Sequence, residues 1–360
     1  MPLFDLNPKE SPKELFGRER DLDELVHLIE ARRWVAVLGP RMVGKTSLIK
    51  AANAKLEDAG IKAVYVNLWG ARRTQGLLNA LARGLSSSRG LLQKVKDVIV
   101  GIEGVSLGLE GISISVSRKP MRTTWDLLAT IGRQVEDCVI ELDEVQELSV
   151  ISGNLLKLLA NIFNSYPNIV FVFTGSMFGL MKTLLEPSSS SPLYGRLPAK
   201  LYLQPFGREC ATNFLRKGFE EYHITVREYM INEAVERLNG IPGWLTLYGN
   251  NVAVRKLPHD KALEETVSEG IKIVRDELEH FLEGRDRFAY LAALKAAATF
   301  ARWSEVKGAV EIRKGSPVND ATLLNIIESL KAAMLIDEKE KVYRVTDPML
   351  QTLLLTSQTP

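Results

Sequence analysis

The chain has 360 residues, 46% hydrophobic and 25% charged, with 46 basic against 44 acidic residues and a formal net charge of +2. That length is ample for two or three domains with real cores, and the near balance of charge excludes a protein that coats nucleic acid through overall basicity. Two cysteines, Cys138 and Cys210, exclude a disulfide framework, and the lack of a His or Cys cluster beside them excludes a paired metal site.

Residues 1–19 contain no apolar leader core, and no run approaches the roughly 18 apolar residues that cross a bilayer. The expectation is a cytoplasmic protein with no membrane partner. Ser11-Pro12-Lys13-Glu14 carries the cap, proline and glutamate pattern that starts a helical turn. Leu22, Leu25, Val26 and Ile29 then recur at helical spacing up to Arg32. Residues 34–38 form a short apolar strand that runs into a glycine-rich loop, and 46–56 continue as a helix. Residues 61–68 read as a second strand and 74–85 as an amphipathic helix.

Over 98–117 the pattern changes. Ile112, Ile114 and Val116 alternate with Ser113, Ser115 and Ser117, and Gly101, Gly104, Gly108 and Gly111 punctuate the stretch, which predicts an inserted β-hairpin. Helix returns over 123–136, and strand over 138–142 ending in Asp143-Glu144. A helix over 154–164 precedes a strand over 169–174 that ends in Gly175-Ser176. Strands alternating with helices predict βαβ units, hence an α/β fold whose parallel sheet carries helices on both faces. The continuous apolar strands agree, because strands covered on both faces do not alternate.

From Phe206 onward the strands stop, and 208–222, 226–239, 245–254 and 263–282 read as a helical domain. Residues 287–354 give two or three helices and then a short β-ribbon over 335–345, which predicts a winged helix. The expected division is a nucleotide domain over 1–205, a helical lid over 206–284 and a winged-helix domain over 285–360.

Gly39-Pro40-Arg41-Met42-Val43-Gly44-Lys45-Thr46 matches the P-loop pattern in full and lies between a strand and a helix, the context that motif requires. The glycines let the backbone curl so that successive N–H groups point at phosphate oxygens, and the following helix adds its positive end. Lys45 is expected on the β- and γ-phosphates, Thr46 on magnesium, and Ser47 completes the phosphate-binding run. Val139-Ile140-Glu141-Leu142-Asp143-Glu144 delivers carboxylates to a strand end, where ligands bind in open α/β sheets. Asp143 is expected to hold magnesium, and Glu144 to orient or deprotonate the attacking water. A hydroxyl of Thr174-Gly175-Ser176, with Ser176 the candidate, sits where it could sense the γ-phosphate. Arg196 follows the Ser/Pro-rich run 188–192, and its planar fork suits phosphate oxygens as a finger, in cis or from a neighbour.

The P-loop, Asp143-Glu144, the upstream Phe16-Gly17-Arg18-Glu19, the downstream Ser191-Pro192-Leu193-Tyr194-Gly195-Arg196, and Gly240-Ile241-Pro242-Gly243-Trp244 together resemble the archaeal ATPase family. That family belongs to the STAND branch of the AAA+-related P-loop NTPases. The resemblance runs from about residue 15 to Tyr343 and Asp347-Pro348. It implies that Phe16, Gly17 and Arg18 lie against an adenine, and that Gly240 and Pro242 belong to a helical-domain loop that closes over the base and ribose. With no Asn-Lys-x-Asp guanine motif, the nucleotide it implies is ATP, exchanged for ADP after hydrolysis.

The sequence also departs from AAA+ motors. Those relatives usually carry an asparagine where Thr174 to Ser176 stand, and an arginine in the helical domain that touches the γ-phosphate. Here that place offers Pro242 and Trp244, with Arg237 one turn earlier. The departure favours a nucleotide-controlled switch with slow turnover, passing its output through the C-terminal module to a protein partner. The alternative is a DNA-binding ATPase akin to an origin-recognition initiator. Its recognition helix over 320–333 is largely apolar, and 285–347 hold eleven basic and nine acidic residues, which leaves DNA weakly supported. A phosphoryl transferase is a third and weaker option, because no lid motif is visible.

Overall fold

A computed structural model describes residues 1–108, 111–115, 117–175 and 180–356. The chain forms two compact units. The sheet unit comprises Pro8–Gly39 and Lys45–Leu203; the C-terminal unit comprises Met1–Asn7, Pro40–Gly44 and Gln204–Pro360.

In the sheet unit, helix α1 (Glu19–Glu30) precedes strand β1 (Val35–Leu38), and helix α2 (Lys45–Asp58) leads to β2 (Lys62–Asn67). Helices α3 (Thr74–Ser87) and α4 (Arg89–Ile99) are followed by the hairpin strands β3 (Val105–Gly108) and β4 (Gly111–Ile114). Helix α5 (Pro120–Gln134) leads to β5 (Cys138–Asp143), a 3-10 turn over Val145–Ile151 and α6 (Ser152–Ser165). Strand β6 (Ile169–Thr174), α7 (Leu180–Leu185) and β7 (Ala199–Tyr202) complete the unit.

The main sheet has five strands in the order β2-β5-β6-β1-β7, all parallel. Every residue of β1, β5 and β6 is buried, as expected of strands covered on both faces. Trp34 anchors the core before β1: its indole N–H donates to the Ile169 carbonyl at 3.2 Å, and its rings meet Phe163, Phe171 and Phe173 edge-on. The expected hairpin is present but shorter, over Val105–Ile114, and rests on α3 through Ile112 N–H donating to Ser86 Oγ at 2.8 Å. Helix α4 precedes it on residues that the sequence pattern did not resolve. Ser11 to Glu14 makes only a turn, because the Glu14 carboxylate accepts from the backbone N–H groups of Glu10 and Ser11 and closes it on itself.

The C-terminal unit is helical through α8 (Arg208–Glu221), α9 (Glu228–Arg237), α10 (Pro242–Ala253) and α11 (His259–Leu282). Helix α12 (Arg287–Ala298), β8 (Ala301–Arg302), α13 (Trp303–Lys314), α14 (Asp320–Ala332), β9 (Ile336–Lys339) and β10 (Val342–Val345) then form the winged helix, closed by α15 (Pro348–Thr356). Its sheet runs β8-β10-β9 and is antiparallel. Trp244 is fully buried and donates from its indole to Asp347 Oδ2 at 3.2 Å, which ties α10 to the start of α15. Burial pushes the Asp347 carboxyl up to about 6.

The first residues of the chain belong to this unit. Phe4 is fully buried, edge-on to Phe214 and Phe219 and stacked on Tyr222. Its ring lies so close to α8 and α10 that a Cβ on Gly218 or Gly249 would come within 2.2 or 2.3 Å of it. The backbone is held too: Leu3 N–H donates to Glu221 at 2.7 Å, and Asn250 donates to the Phe4 carbonyl at 2.9 Å. Among the described residues no helix is long and apolar enough to cross a membrane.

Candidate nucleotide site

The strand order places three strand ends side by side, because β6 lies between β5 and β1. Asp143 ends β5, Thr174 ends β6, and the glycine-rich loop leaves β1. Helix α2 starts at Lys45, so Lys45 and Thr46 stand at its N-terminal turn, where backbone N–H groups and the helix dipole favour an anion.

Side chains then join these ends. Thr46 Oγ1 donates to Asp143 Oδ2 at 2.9 Å, and the Tyr65 hydroxyl donates to the same oxygen at 2.6 Å. Thr174 Oγ1 donates to the other carboxylate oxygen, Asp143 Oδ1, and accepts from the Glu144 N–H at 3.4 Å. Asp143 is therefore oriented from both sides by hydroxyls on α2, β2 and β6. Lys45 Nζ donates to the Gly39 carbonyl at 2.9 Å.

Glu144 follows with φ 62° and ψ 49°, a left-handed backbone that costs a non-glycine residue about 1 kcal/mol or more. Such strained residues cluster at functional sites. The Gln146 amide donates to the Glu144 carboxylate. Behind Asp143, on the same face of β5, Glu141 is fully buried and accepts from Asn53 Nδ2 at 3.1 Å. Burial pushes Glu141 up to about 8, so near neutral pH it adds little charge beside Asp143. Burial, and then the Asp143 charge, raise Tyr65 far above the usual phenol range, so it stays a donor.

The loop tip belongs to the C-terminal unit. There Met42, itself at φ 60°, accepts at its carbonyl from Gly243 N–H at 2.8 Å. Arg41 pairs with Glu277 at 3.1 Å. Pro40, Val43 and Gly44 complete the tip.

The other sequence candidates fall as follows. Ser47 accepts from Lys9 N–H at 3.1 Å. Gly17 has φ 62°, and Arg18 is buried before α1, with its guanidinium on Asp21 at 3.2 Å. Gly240 has φ 64° and accepts from Phe206 N–H at 2.9 Å; Pro242 opens α10. Arg196 donates to the Pro192 carbonyl at 2.8 Å and lies 5.5 Å from the Phe163 ring centre. Neither of these Arg196 contacts involves the P-loop. Ser176 lies outside the described residues. Sequence reasoning missed Tyr65, Asn53 and Gln146. Only Gln146, two positions after Glu144, had a readable spacing.

The chain is similar to a Walker-type ATPase of Pyrococcus abyssi at 27% identity and a TM-score of 0.79, over 98% of this chain and 99% of that one. The ORC2 protein of Aeropyrum pernix, solved in ADPNP–ADP complexes, shares the fold at 16% identity and a TM-score of 0.65, over 98% and 96%. Cdc6p from Pyrobaculum aerophilum does so at 14% identity and a TM-score of 0.52, over 97% and 96%. No curated protein matches the chain. Residues 283–346 match the model of the MCM protein C-terminal winged helix-turn-helix domain. Residues 15–247 match the model described as an ATPase domain predominantly from Archaea, and the chain therefore belongs to that ATPase family.

Proposed function

We propose that the protein binds ATP with magnesium and hydrolyses it slowly, as a nucleotide-controlled switch of STAND type. The observation that carries this reading is the hydrogen bond from Thr46 to Asp143, which joins the head of α2 to the end of β5. A Thr hydroxyl and a carboxylate are hard oxygen donors, and magnesium typically takes one or two such ligands with phosphate oxygens and water. Among the described residues no group of three or more His, Cys, Asp or Glu could hold a metal, and a magnesium ion held mainly by nucleotide and water needs none.

In this reading Thr46 and Asp143 would hold the ion, whose charge would offset that developing on the phosphates. Lys45 turns from the Gly39 carbonyl to the β- and γ-phosphates, and the N–H groups of Gly39 and of residues 41–47 cradle them. Glu144 accepts a proton from the attacking water as its oxygen bonds to the γ-phosphorus. The bond to the bridging oxygen breaks, and ADP leaves with phosphate. Phe16, Gly17, Arg18, Gly240 and Pro242 are proposed to recognise the base and ribose, with Ser176 and Arg196 serving the γ-phosphate. The proposed division of labour is 1–205 for nucleotide, 206–284 as lid and 285–360 as output, in a cytoplasmic protein.

The output partner proposed is a protein. Lys307 pairs with Asp320, Lys314 with Asp286, Lys331 with Glu328 and Glu338, and Arg344 with Asp337. Basic side chains already paired with carboxylates are poor phosphate contacts. A DNA-binding role is the second reading, favoured by the winged-helix match over 283–346.

The test combines fluorescent ATP-analogue binding with phosphate release. Lys45→Ala is expected to weaken binding by about 100-fold or more. Glu144→Gln is expected to bind as wild type and to release phosphate at least about 100-fold more slowly. Wild-type affinity in Lys45→Ala, or wild-type turnover in Glu144→Gln, would remove the reading.

A further inference from the structure

Gln146 is a buried polar side chain that the nucleotide reading above leaves without a task. Its amide nitrogen donates to Glu144 Oε2, which orients the carboxamide, and its Oε1 is buried without a hydrogen-bond partner among the described residues. An orphaned buried acceptor is unfavourable, so the fold carries a penalty to keep a carboxamide here. The surroundings are shaped to admit it. Gly175, at φ 142°, follows β6, and a Cβ there would stand 2.1 Å from Gln146 Oε1. A side chain at position 175 would expel the carboxamide. Meanwhile Glu144 has a left-handed backbone with its N–H on the Thr174 hydroxyl. The main chain of Glu144 is thus held from β6, and its carboxylate is held from the turn that follows.

We infer that Gln146 is a positioning residue for Glu144. Its amide holds the carboxylate in the direction from which it meets the attacking water, and Gly175 leaves the room this requires. The inference rests on Glu144 being the residue that accepts the water's proton. A carboxylate with several rotatable bonds samples many orientations, and a charge-assisted hydrogen bond to a packed amide restricts them to one. The gain is in the chemical step and not in nucleotide affinity, since Gln146 makes no contact that the phosphates need.

Gln146→Leu removes the donor and the orphaned acceptor at nearly the same volume. In single-turnover hydrolysis it is expected to lower the rate constant about tenfold. The affinity for a non-hydrolysable ATP analogue and the melting temperature should stay within about twofold and a few degrees of wild type. Because Gln146 acts through Glu144, adding Gln146→Leu to Glu144→Gln should cost no further rate. An unchanged rate in Gln146→Leu, a parallel fall in affinity and rate, or additive losses in the double variant would overturn the assignment while leaving the ATPase reading standing. A wild-type chain that cleaves no ATP would overturn both.

Discussion

Replacing Glu141 by glutamine should stabilise the sheet unit, and by an amount that grows with pH. Glu141 is fully exposed to water only on unfolding, where its carboxyl titrates near its ordinary 4.5; in the fold, burial raises it to about 8. Between these values the native state keeps a proton that the unfolded state releases, so stability falls as pH rises from about 4.5 to about 8. Each unit of pH in that window costs about 1.4 kcal/mol, which amounts to about 3 kcal/mol by pH 7. Glutamine cannot ionise, so Glu141→Gln escapes that loss. It also offers a donor to Asn53 Oδ1 and an acceptor to Asn53 Nδ2. The protonated carboxyl it replaces can do the same, so the two proteins match wherever Glu141 keeps its proton. The assay is thermal melting of both proteins from pH 5 to 9. The melting temperatures should nearly coincide at pH 5 and differ by about 10 °C at pH 7. Every other titrating group is shared, so the difference isolates this carboxyl. A difference that stays constant across the range would refute the argument.

Two further outcomes follow from the C-terminal unit. Phe4→Ala should cost about 3–5 kcal/mol and lower the melting transition of that unit by about 10 °C, because the ring fills a slot lined by Gly218, Gly249, Phe214 and Phe219; calorimetry showing less than about 2 °C would contradict the packing. In a gel shift with duplex DNA, the paired basic side chains of the winged helix predict no retardation at about 150 mM salt, and a sequence-dependent shift there would favour the DNA reading.

What the sequence disclosed depended on how local each signal was. The P-loop and Asp143 lie in contiguous motifs whose strand and helix neighbours are also contiguous, and both fall within the family match over 15–247. The buried strands β5 and β6 announce themselves as apolar runs. Strand β7 did not, because Ala199–Tyr202 is four residues with only Leu201 buried, and its place beside β1 comes from pairing alone. The hydroxyls around Asp143 come from α2, β2 and β6, which no spacing rule connects. Phe4 lay in residues 1–19, read only as lacking an apolar leader core, although one aromatic residue with two distant glycines to receive it makes a core.

The position of Phe4 also bears on how the chain is made. Phe4 is held by Asn250, 246 residues away. Translation proceeds at about 5–20 residues per second, so Phe4 waits about 10–50 s before its binding slot exists. The sheet unit can finish while Leu3 and Phe4 are still apolar and uncovered, and they are therefore candidates for chaperone contact on the ribosome.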